Sequence, residues 1–128
     1  MIALDTSSIV AYLTGDQAPD TVAADAAIAD KAAVLPPVVL AELLSAPNLR
    51  RSGREALIAL PLLDVLDGYW ERAGLLRARL RTRGLKARLA DTLIAQSCLD
   101  HEVGLITRDD DFRHFVQHAD LQVVPRRG

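Results

Sequence analysis

The chain has 128 residues, half of them hydrophobic and a quarter charged, with a formal net charge of −2 and one cysteine. That length suits a single domain with its own core, so we expect one domain over residues 1–128. One cysteine excludes a disulfide framework and a cysteine-rich zinc site. The sequence contains no apolar stretch long enough to span a bilayer and no visible secretory signal, which predicts a cytoplasmic protein with no membrane partner.

The near-neutral net charge hides an uneven distribution. The segment from Arg72 to Arg88 carries seven basic residues and no acidic one, which leaves eight basic and 17 acidic residues, a charge of −9, elsewhere. A basic segment of this kind is either a solvated helix face or a surface for phosphates. The average charge alone therefore does not exclude a nucleic-acid substrate.

In chain order, the sequence predicts short strands that alternate with helices. The predicted elements are a strand over 1–4, a helix over 9–13 capped by the hydroxyls of 6–8, a helix from 20 or 21 to 30, a strand over 34–35, a helix over 38–46, a helix over 54–60, a strand over 62–66, a helix from 68 or 69 to 82, a helix over 87–102, a strand over 105–106, one short helix over 110–115 and a strand over 121–124. Short strands separated by helices predict an α/β fold, a three-layer α/β/α sandwich with a mainly parallel central sheet.

Two acidic residues follow predicted strands. Asp5 comes directly after the first strand, and Asp109 lies three residues after Ile106, with Asp110 and Asp111 beside it. Ligands of open parallel sheets gather beyond the carboxyl ends of the strands. The alternative is that each aspartate caps a helix, and Asp110 is our predicted cap for the short helix.

Two further acidic residues interrupt apolar helices. Glu42 stands in the segment Val38–Leu44, and Asp91 in the segment Leu89–Ala95. Carboxylates are seldom buried without a partner, because removing their charge from water costs several kcal/mol. Either each side chain lies at the edge of its apolar face and points to water, or the fold gives it a partner.

The four acidic residues Asp5, Glu42, Asp91 and Asp109 would form a metal site if the fold brings them together. Carboxylate oxygens select hard cations, so the expected ion is Mg²⁺, with Mn²⁺ as the other choice. Two such ions would activate a water and hold a phosphodiester for in-line attack. The flanking phosphates would then bind to the basic segment, whose candidate RNA-binding residues are Arg77, Arg79, Arg81, Arg83, Lys86 and Arg88.

The segments around these acidic residues resemble the PIN domain, and within it the VapC-type toxin ribonucleases. The resembling segments are Met1–Ser7, Val39–Leu43, Leu89–Ala95 and Leu105–Phe112, in the order found in that family. The resemblance implies a PIN-like fold and an Mg²⁺-dependent endoribonuclease that is the toxin of a type II toxin–antitoxin pair. It also implies a cognate antitoxin that occupies the active site, an RNA substrate and a homodimer.

By the same resemblance, Asp5, Glu42, Asp91 and Asp109 hold the metal, and Asp111 is a possible further ligand. Thr6 and Thr107 would be supporting hydroxyls. Three consecutive acidic residues leave open whether Asp109 or Asp111 is the closing ligand, and we favour Asp109 because it lies nearest the strand end.

An alternative function class is a non-catalytic receiver-like α/β module, which also collects acidic residues around a strand-end aspartate and binds Mg²⁺. Such a module needs a lysine downstream at a strand end, and the two lysines, Lys31 and Lys86, do not follow predicted strands. A haloacid-dehalogenase-like enzyme needs a second aspartate two residues after the first, where this chain has Ser7.

Overall fold

A computed structural model describes residues 1–125 of the chain. Its strands are β1 (Ile2–Leu4), β2 (Ala33–Val34), β3 (Gly104–Ile106) and β4 (Val123–Val124). Its helices are α1 (Thr6–Leu13), α2 (Pro19–Ala29), α3 (Pro37–Leu44), α4 (Arg51–Ile58), α5 (Tyr69–Thr82), α6 (Leu89–His101) and α7 (Arg113–Ala119), with a 3₁₀ turn over Asp110–Phe112 before α7.

The four strands form one parallel sheet in the order β2-β1-β3-β4. β1 and β3 are the two inner strands, and Leu4 pairs with Ile106 at their carboxyl ends. The helices flank this sheet, as expected because parallel strands need helical crossovers that cover its faces. The predicted α/β fold with a parallel central sheet is therefore confirmed.

The core is formed by the inner strands and the apolar faces of the helices. Ala3, Leu4, Leu105 and Ile106 are buried, and so is the face of α6 that includes Ile94, Ala95 and Cys98. α6 packs against both α5 and α3. This packing fixes the first turn of α6, which carries Asp91, relative to the sheet.

The predicted strand over 62–66 is wrong. In the structure, Leu35 and Leu62 form a single parallel bridge, with Leu35 N–H donating to the Pro61 carbonyl and Leu63 N–H to the Leu35 carbonyl. An apolar run predicts burial more directly than it predicts a ladder of hydrogen bonds, and here only Leu63 of the run is buried.

Two predictions about helices are also wrong, one about a helix start and one about a helix length. Residues 6–8 lie inside α1, which begins at Thr6, with Asp5 in an extended conformation just before it. The segment 110–115 is not one short helix, because the 3₁₀ turn gives way to α7, which continues to Ala119. Other helix ends differ from the predicted ones by a few residues, which is usual because the terminal turns carry little periodic signal.

Within residues 1–125, no helix is long and apolar enough to cross a membrane.

Candidate metal centre

The candidate site lies at the carboxyl edge of the sheet, where β1 and β3 end side by side. Asp5 N–H donates to the Ile106 carbonyl at 2.9 Å, so the residues that follow the two strands begin from adjacent positions. Asp5 follows β1, and Thr107, Arg108 and Asp109 follow β3. The parallel register thus places residues that are about a hundred positions apart in the sequence next to one another.

Asp5 is buried and held by two hydroxyls. Asp5 is only 4% exposed. Its Oδ2 accepts hydrogen bonds from Ser7 Oγ at 2.7 Å and from Thr107 Oγ1 at 2.8 Å. Burial raises the pKa of Asp5, against the lowering effect of these hydrogen bonds, and nearby Asp109 raises the pKa further. Asp5 does not cap α1 with its side chain, so the alternative of a simple helix cap is not what the structure shows.

Asp91, Asp109 and Asp111 form a close group. One carboxylate oxygen from each residue lies within 4.8 Å of one from each of the others. Burial raises the pKa of Asp91 to about 6, and the charges of Asp109, Asp5 and Asp111 raise it too. Like charges at such separations repel one another, so the group favours a proton or a cation.

Two members of this group, Asp109 and Asp111, are also joined by a hydrogen bond from backbone to side chain. Asp109 Oδ1 accepts from the N–H of Asp111 at 2.9 Å, and its own N–H donates to Thr107 Oγ1 at 3.0 Å. Asp109, and not Asp110 as the sequence predicts, therefore caps the 3₁₀ turn. The cap leaves the other oxygen of Asp109 free of that bond, so capping and metal binding are compatible in one side chain.

Lys86 contacts the same group. Its Nζ donates to Asp111 Oδ2 at 3.1 Å, and this contact holds the pKa of Asp111 below its usual range. The sequence predicts Lys86 to be an RNA-binding residue, whereas in the structure its ammonium is the counter-ion of a predicted metal ligand.

Glu42 lies beside the group rather than in it. Its side chain is exposed, and Oε1 accepts from Thr6 Oγ1 at 2.9 Å. Among the described residues, the group of three or more potential ligands that lie within 4.8 Å of one another consists of Asp91, Asp109 and Asp111, without Glu42. Glu42 is thus joined to the site through Thr6, the residue next to Asp5.

The basic segment divides into paired and unpaired side chains. Arg72 forms a two-point ion pair with Asp100, and Arg77 donates to the Ala87 carbonyl. Arg79 and Arg83 both bond to His118, at its carbonyl and its Nδ1 respectively. The exposed Arg88 acts on the acidic group through space, because its charge lowers the pKa of Asp91 and of Asp111.

Sequence reasoning missed two features of this region. Ser7 is a second hydroxyl on Asp5, which its position two residues downstream could have suggested. Arg108 binds Asp20 through Nε at 2.8 Å and Asp16 through Nη1 at 2.6 Å, and Ser8 also donates to Asp20. Arg108 therefore joins the end of β3 to the start of α2, a contact that no local pattern indicates.

The donor set fits a hard divalent cation. The close group offers carboxylate oxygens from three side chains, with Asp5 electrostatically coupled to two of them. Oxygen-only ligands of this kind suit Mg²⁺ or Mn²⁺ better than Zn²⁺, which prefers nitrogen and sulfur. A groove of about 660 Å³ opens beside Asp109 and runs along α7, past Arg113 and Gln117.

Solved structures with the same fold include chains from toxin–antitoxin complexes. The chain is similar to one in FitAcB from Neisseria gonorrhoeae, with 24% identity over 96% of each chain and a TM-score of 0.68. It is similar to one in VapBC2 from Rickettsia felis, bound to a DNA fragment from its promoter, with 22% identity over 96% of this chain and 97% of that one and a TM-score of 0.70. It is also similar to one in VapBC-5, a member of the VapBC family of toxin–antitoxin systems from Mycobacterium tuberculosis, with 24% identity over 95% of each chain and a TM-score of 0.63.

The comparison with curated proteins gives no significant match. The comparison with protein families does, since residues 2–117 match the PIN domain. That match spans all four acidic residues of the predicted set and the strands β1, β2 and β3, and it ends within α7. The predicted resemblance is confirmed, and the chain belongs to the PIN domain family.

Proposed function

We propose that this protein is a divalent-metal-dependent endoribonuclease and the toxin of a type II toxin–antitoxin pair. The observation that carries the proposal is the group formed by Asp91, Asp109 and Asp111, with buried Asp5 beside it, in a chain of the PIN domain family. Within residues 1–125, these four aspartates have the hydrogen-bonded ammonium of Lys86 and the more distant guanidiniums of Arg113 and Arg88, which leaves an excess of negative charge. A folded protein retains such an excess where a cation or a reaction needs it.

Each residue has a role that follows from its surroundings. Asp5, Asp91 and Asp109 would hold Mg²⁺, with Asp111 as a further ligand and Glu42 at the rim, where it would bind through water. Thr107 and Ser7 orient Asp5, and Thr6 orients Glu42. When bound, a divalent ion supplies a Lewis acid that lowers the pKa of water and draws charge from a phosphodiester. The burial of Asp5 keeps bulk water from competing for its carboxylate.

The basic segment and the groove supply the expected phosphate contacts. Arg88 and Lys86 lie next to the acidic group, and Arg77, Arg79, Arg81 and Arg83 continue along α5 and its end. An RNA backbone crossing the metal site would meet side chains of this segment and the groove beside Asp109. Aromatic residues make up only 4% of the chain, so recognition depends on charge and shape more than on base stacking.

The antitoxin would cover an apolar surface near the site. The exposed apolar residues are Val10 and Leu13 of α1, Val22 of α2 and Leu44 of α3, and both α2 and α3 pack against α1. A partner with apolar side chains for this surface and a basic side chain for the aspartates matches both features. Co-expression with the adjacent small gene is expected to give a complex stable at micromolar concentration, in which the nuclease is inactive. We further propose that the active toxin is a homodimer.

Cleavage of RNA by charge-neutral variants tests the proposal. Asp5→Asn and Asp91→Asn are each expected to lose at least about 100-fold in cleavage rate with Mg²⁺ present, because each removes a negative ligand without changing side-chain size. Asp64→Asn is the matched control, because Asp64 is exposed and lies outside the site. Undiminished cleavage by both site variants would contradict the mechanism, and chelation by EDTA must abolish the wild-type activity.

The receiver-like alternative has little support from these observations. The family match covers residues 2–117, and it is to a PIN domain. Incubation with a small phosphodonor separates the two functions: stable phosphorylation of Asp5 without nuclease activity would favour the receiver-like module.

A further inference from the structure

We propose that Lys86 is a built-in counter-ion that competes with the divalent cation for Asp111 and so sets the metal affinity of the site. This inference rests on the proposed function, because it assumes that the aspartates bind a metal ion. It concerns a residue that follows α5 rather than one of the expected ligands.

The geometry places Lys86 on the ligand oxygen itself. Nζ lies 3.1 Å from Asp111 Oδ2, a hydrogen-bonded ion pair in which the lysine side chain is 52% exposed and the aspartate side chain 24% exposed. A second cation, Arg113, is more distant, with Nη1 at 3.8 Å from Asp111 Oδ1, and it donates to the Asp110 carbonyl. Of these two cations, Lys86 therefore makes the closer contact with Asp111.

The Lys86 side chain can also move away from Asp111. It lies in the segment between α5 and α6, outside any helix, and half of its side chain already faces water. Moving a flexible lysine into solvent costs little beyond the ion pair, and such exposed pairs are weak. A divalent ion that shares the oxygens of Asp91, Asp109 and Asp111 brings a second positive charge close to Nζ, so the two cations repel each other.

The two occupants have opposite effects on the site. Without metal, Lys86 reduces the repulsion among the aspartates and so stabilises the fold. With metal, it either repels the ion or must give up its bond to Asp111. Both effects weaken metal binding relative to a site that lacks the lysine, in the way that any two ligands competing for one position do.

Titration with Mn²⁺, followed by the electron paramagnetic resonance of the free ion, tests this competition on the full chain. Lys86→Gln is expected to bind Mn²⁺ about threefold to tenfold more tightly than wild type at low ionic strength, which is the range of a half-exposed ion pair plus one removed positive charge. The difference is expected to shrink at high salt, because salt screens exposed charges. Lys86→Arg keeps the charge and is expected to stay close to wild type.

Lys31 provides the matched control, since it is the other lysine of the chain. It is exposed and precedes β2, at the amino edge of the sheet, opposite the site. Lys31→Gln makes the same change of charge and shape and is expected to leave the affinity for Mn²⁺ unchanged.

Carbon-13 reductive methylation gives a direct readout, because it labels only two lysines and the amino terminus. Dimethyl-lysine keeps its positive charge, so the ion pair can persist. Titration with Mg²⁺ is expected to shift the signal that disappears in Lys86→Gln and to leave the Lys31 signal in place.

The outcomes separate this inference from the proposed function. If wild type binds no Mn²⁺, or if Asp91→Asn binds it as well as wild type, the metal site of the proposed function is wrong. If wild type binds Mn²⁺ and Asp91→Asn does not, but Lys86→Gln binds no more tightly than Lys31→Gln, the competition is wrong and the metal site stands. A Lys86 methyl signal that Mg²⁺ does not move would overturn the competition equally.

Discussion

Asp5 and Asp20 are equally buried, at 4% exposure each, and the fold treats them in opposite ways. Each accepts a hydrogen bond from a serine hydroxyl of α1, Ser7 for Asp5 and Ser8 for Asp20. Asp20 is also paired with Arg108, which lowers its pKa, whereas burial and Asp109 raise the pKa of Asp5. Burial alone therefore does not separate a structural carboxylate from a functional one.

What separates them is the supply of positive charge. Arg108 forms ion pairs with both Asp16 and Asp20, so a guanidinium is hydrogen-bonded to the carboxylate of Asp20. At the sheet edge, the four aspartates Asp5, Asp91, Asp109 and Asp111 have the hydrogen-bonded ammonium of Lys86 and the more distant guanidiniums of Arg113 and Arg88, so negative charge is in excess. This excess of negative charge at the sheet edge is what we expect a cation from outside the protein to balance.

Removal of Arg108 is expected to have the largest effect on stability. Arg108→Met removes the guanidinium from Asp16 and Asp20 and leaves the Asp20 carboxylate with the Ser8 hydroxyl, so we expect a clear loss in the free energy of unfolding. Chemical denaturation at pH 7 measures the change, and Arg51→Met, which breaks the exposed pair with Glu55, is the matched control with a small expected effect. Since the pKa of Asp20 is lowered in the fold, the contribution of this pair is present at neutral pH and is lost as pH falls through that lowered value. A cost that stays the same in acid would contradict the pairing.

Neutralisation of Asp91, in contrast, is expected to raise the stability of the metal-free protein at neutral pH. The pKa of Asp91 in the fold is about 6, above its usual value of 3.8, so its contribution to stability is fully present below about pH 4 and is lost as pH rises through 6. Metal-free Asp91→Asn is therefore expected to melt at a higher temperature than wild type at pH 7.5 and at a similar temperature at pH 4. Added Mg²⁺ should stabilise wild type and not the variant. A variant that is less stable than wild type at pH 7.5 without metal would show that Asp91 has a cation partner within the protein.

The same pKa predicts how metal binding depends on pH. Protons compete with the metal for Asp91, so the affinity for Mn²⁺ is expected to fall as pH decreases through about 6. Isothermal titration at pH 5, 6 and 7.5 measures this, and proton release on binding is expected at the lower values. An affinity that does not change between pH 5 and 7.5 would exclude Asp91 as a ligand.

Removal of the Thr107 hydroxyl is expected to have a smaller effect. Thr107→Val deletes the donor to Asp5 and the acceptor for the Asp109 N–H, at a cost of about 1–3 kcal/mol. The pKa of Asp5 should rise further, because one of the bonds that favour its charged form is lost. Thr82→Val is the control, since the Thr82 hydroxyl is exposed and bonds only within α5. A variant with unchanged stability and unchanged metal affinity would contradict the supporting role.

The smallest expected effect is on RNA binding. Arg81 is exposed on α5 and takes part in none of the hydrogen bonds or ion pairs found within residues 1–125. A plot of the logarithm of the RNA-binding constant against the logarithm of the salt concentration has a negative slope. Arg81→Gln is expected to reduce the magnitude of this slope by about 0.7, the value for one phosphate contact with a single strand. Filter binding in Ca²⁺, which replaces Mg²⁺ to limit cleavage, measures the slope. An unchanged slope would remove Arg81 from the RNA surface.

The sequence predicts the fold well because the relevant signals are local. Apolar runs separated by amphipathic helices indicate parallel strands, and this is what the sheet shows. The strand predicted over 62–66 failed because a run of leucine and valine specifies apolar character without specifying a neighbour for its hydrogen bonds. The predicted helix caps were wrong for a related reason, because serine, threonine and aspartate occur at several positions around a helix start.

By itself, the sequence predicted the alternation of the four strands with helices, with one further strand over 62–66 that the structure lacks. It also placed Asp5 and Asp109 beyond strands and Glu42 and Asp91 within helices. Only the tertiary structure decided which of these side chains meet. It brings Asp111 to Asp91, leaves Glu42 bonded to Thr6, and gives Lys86 to Asp111 and Arg108 to Asp20. These contacts join residues far apart in the chain, and their energies depend on distance and burial, which no local pattern of residues specifies.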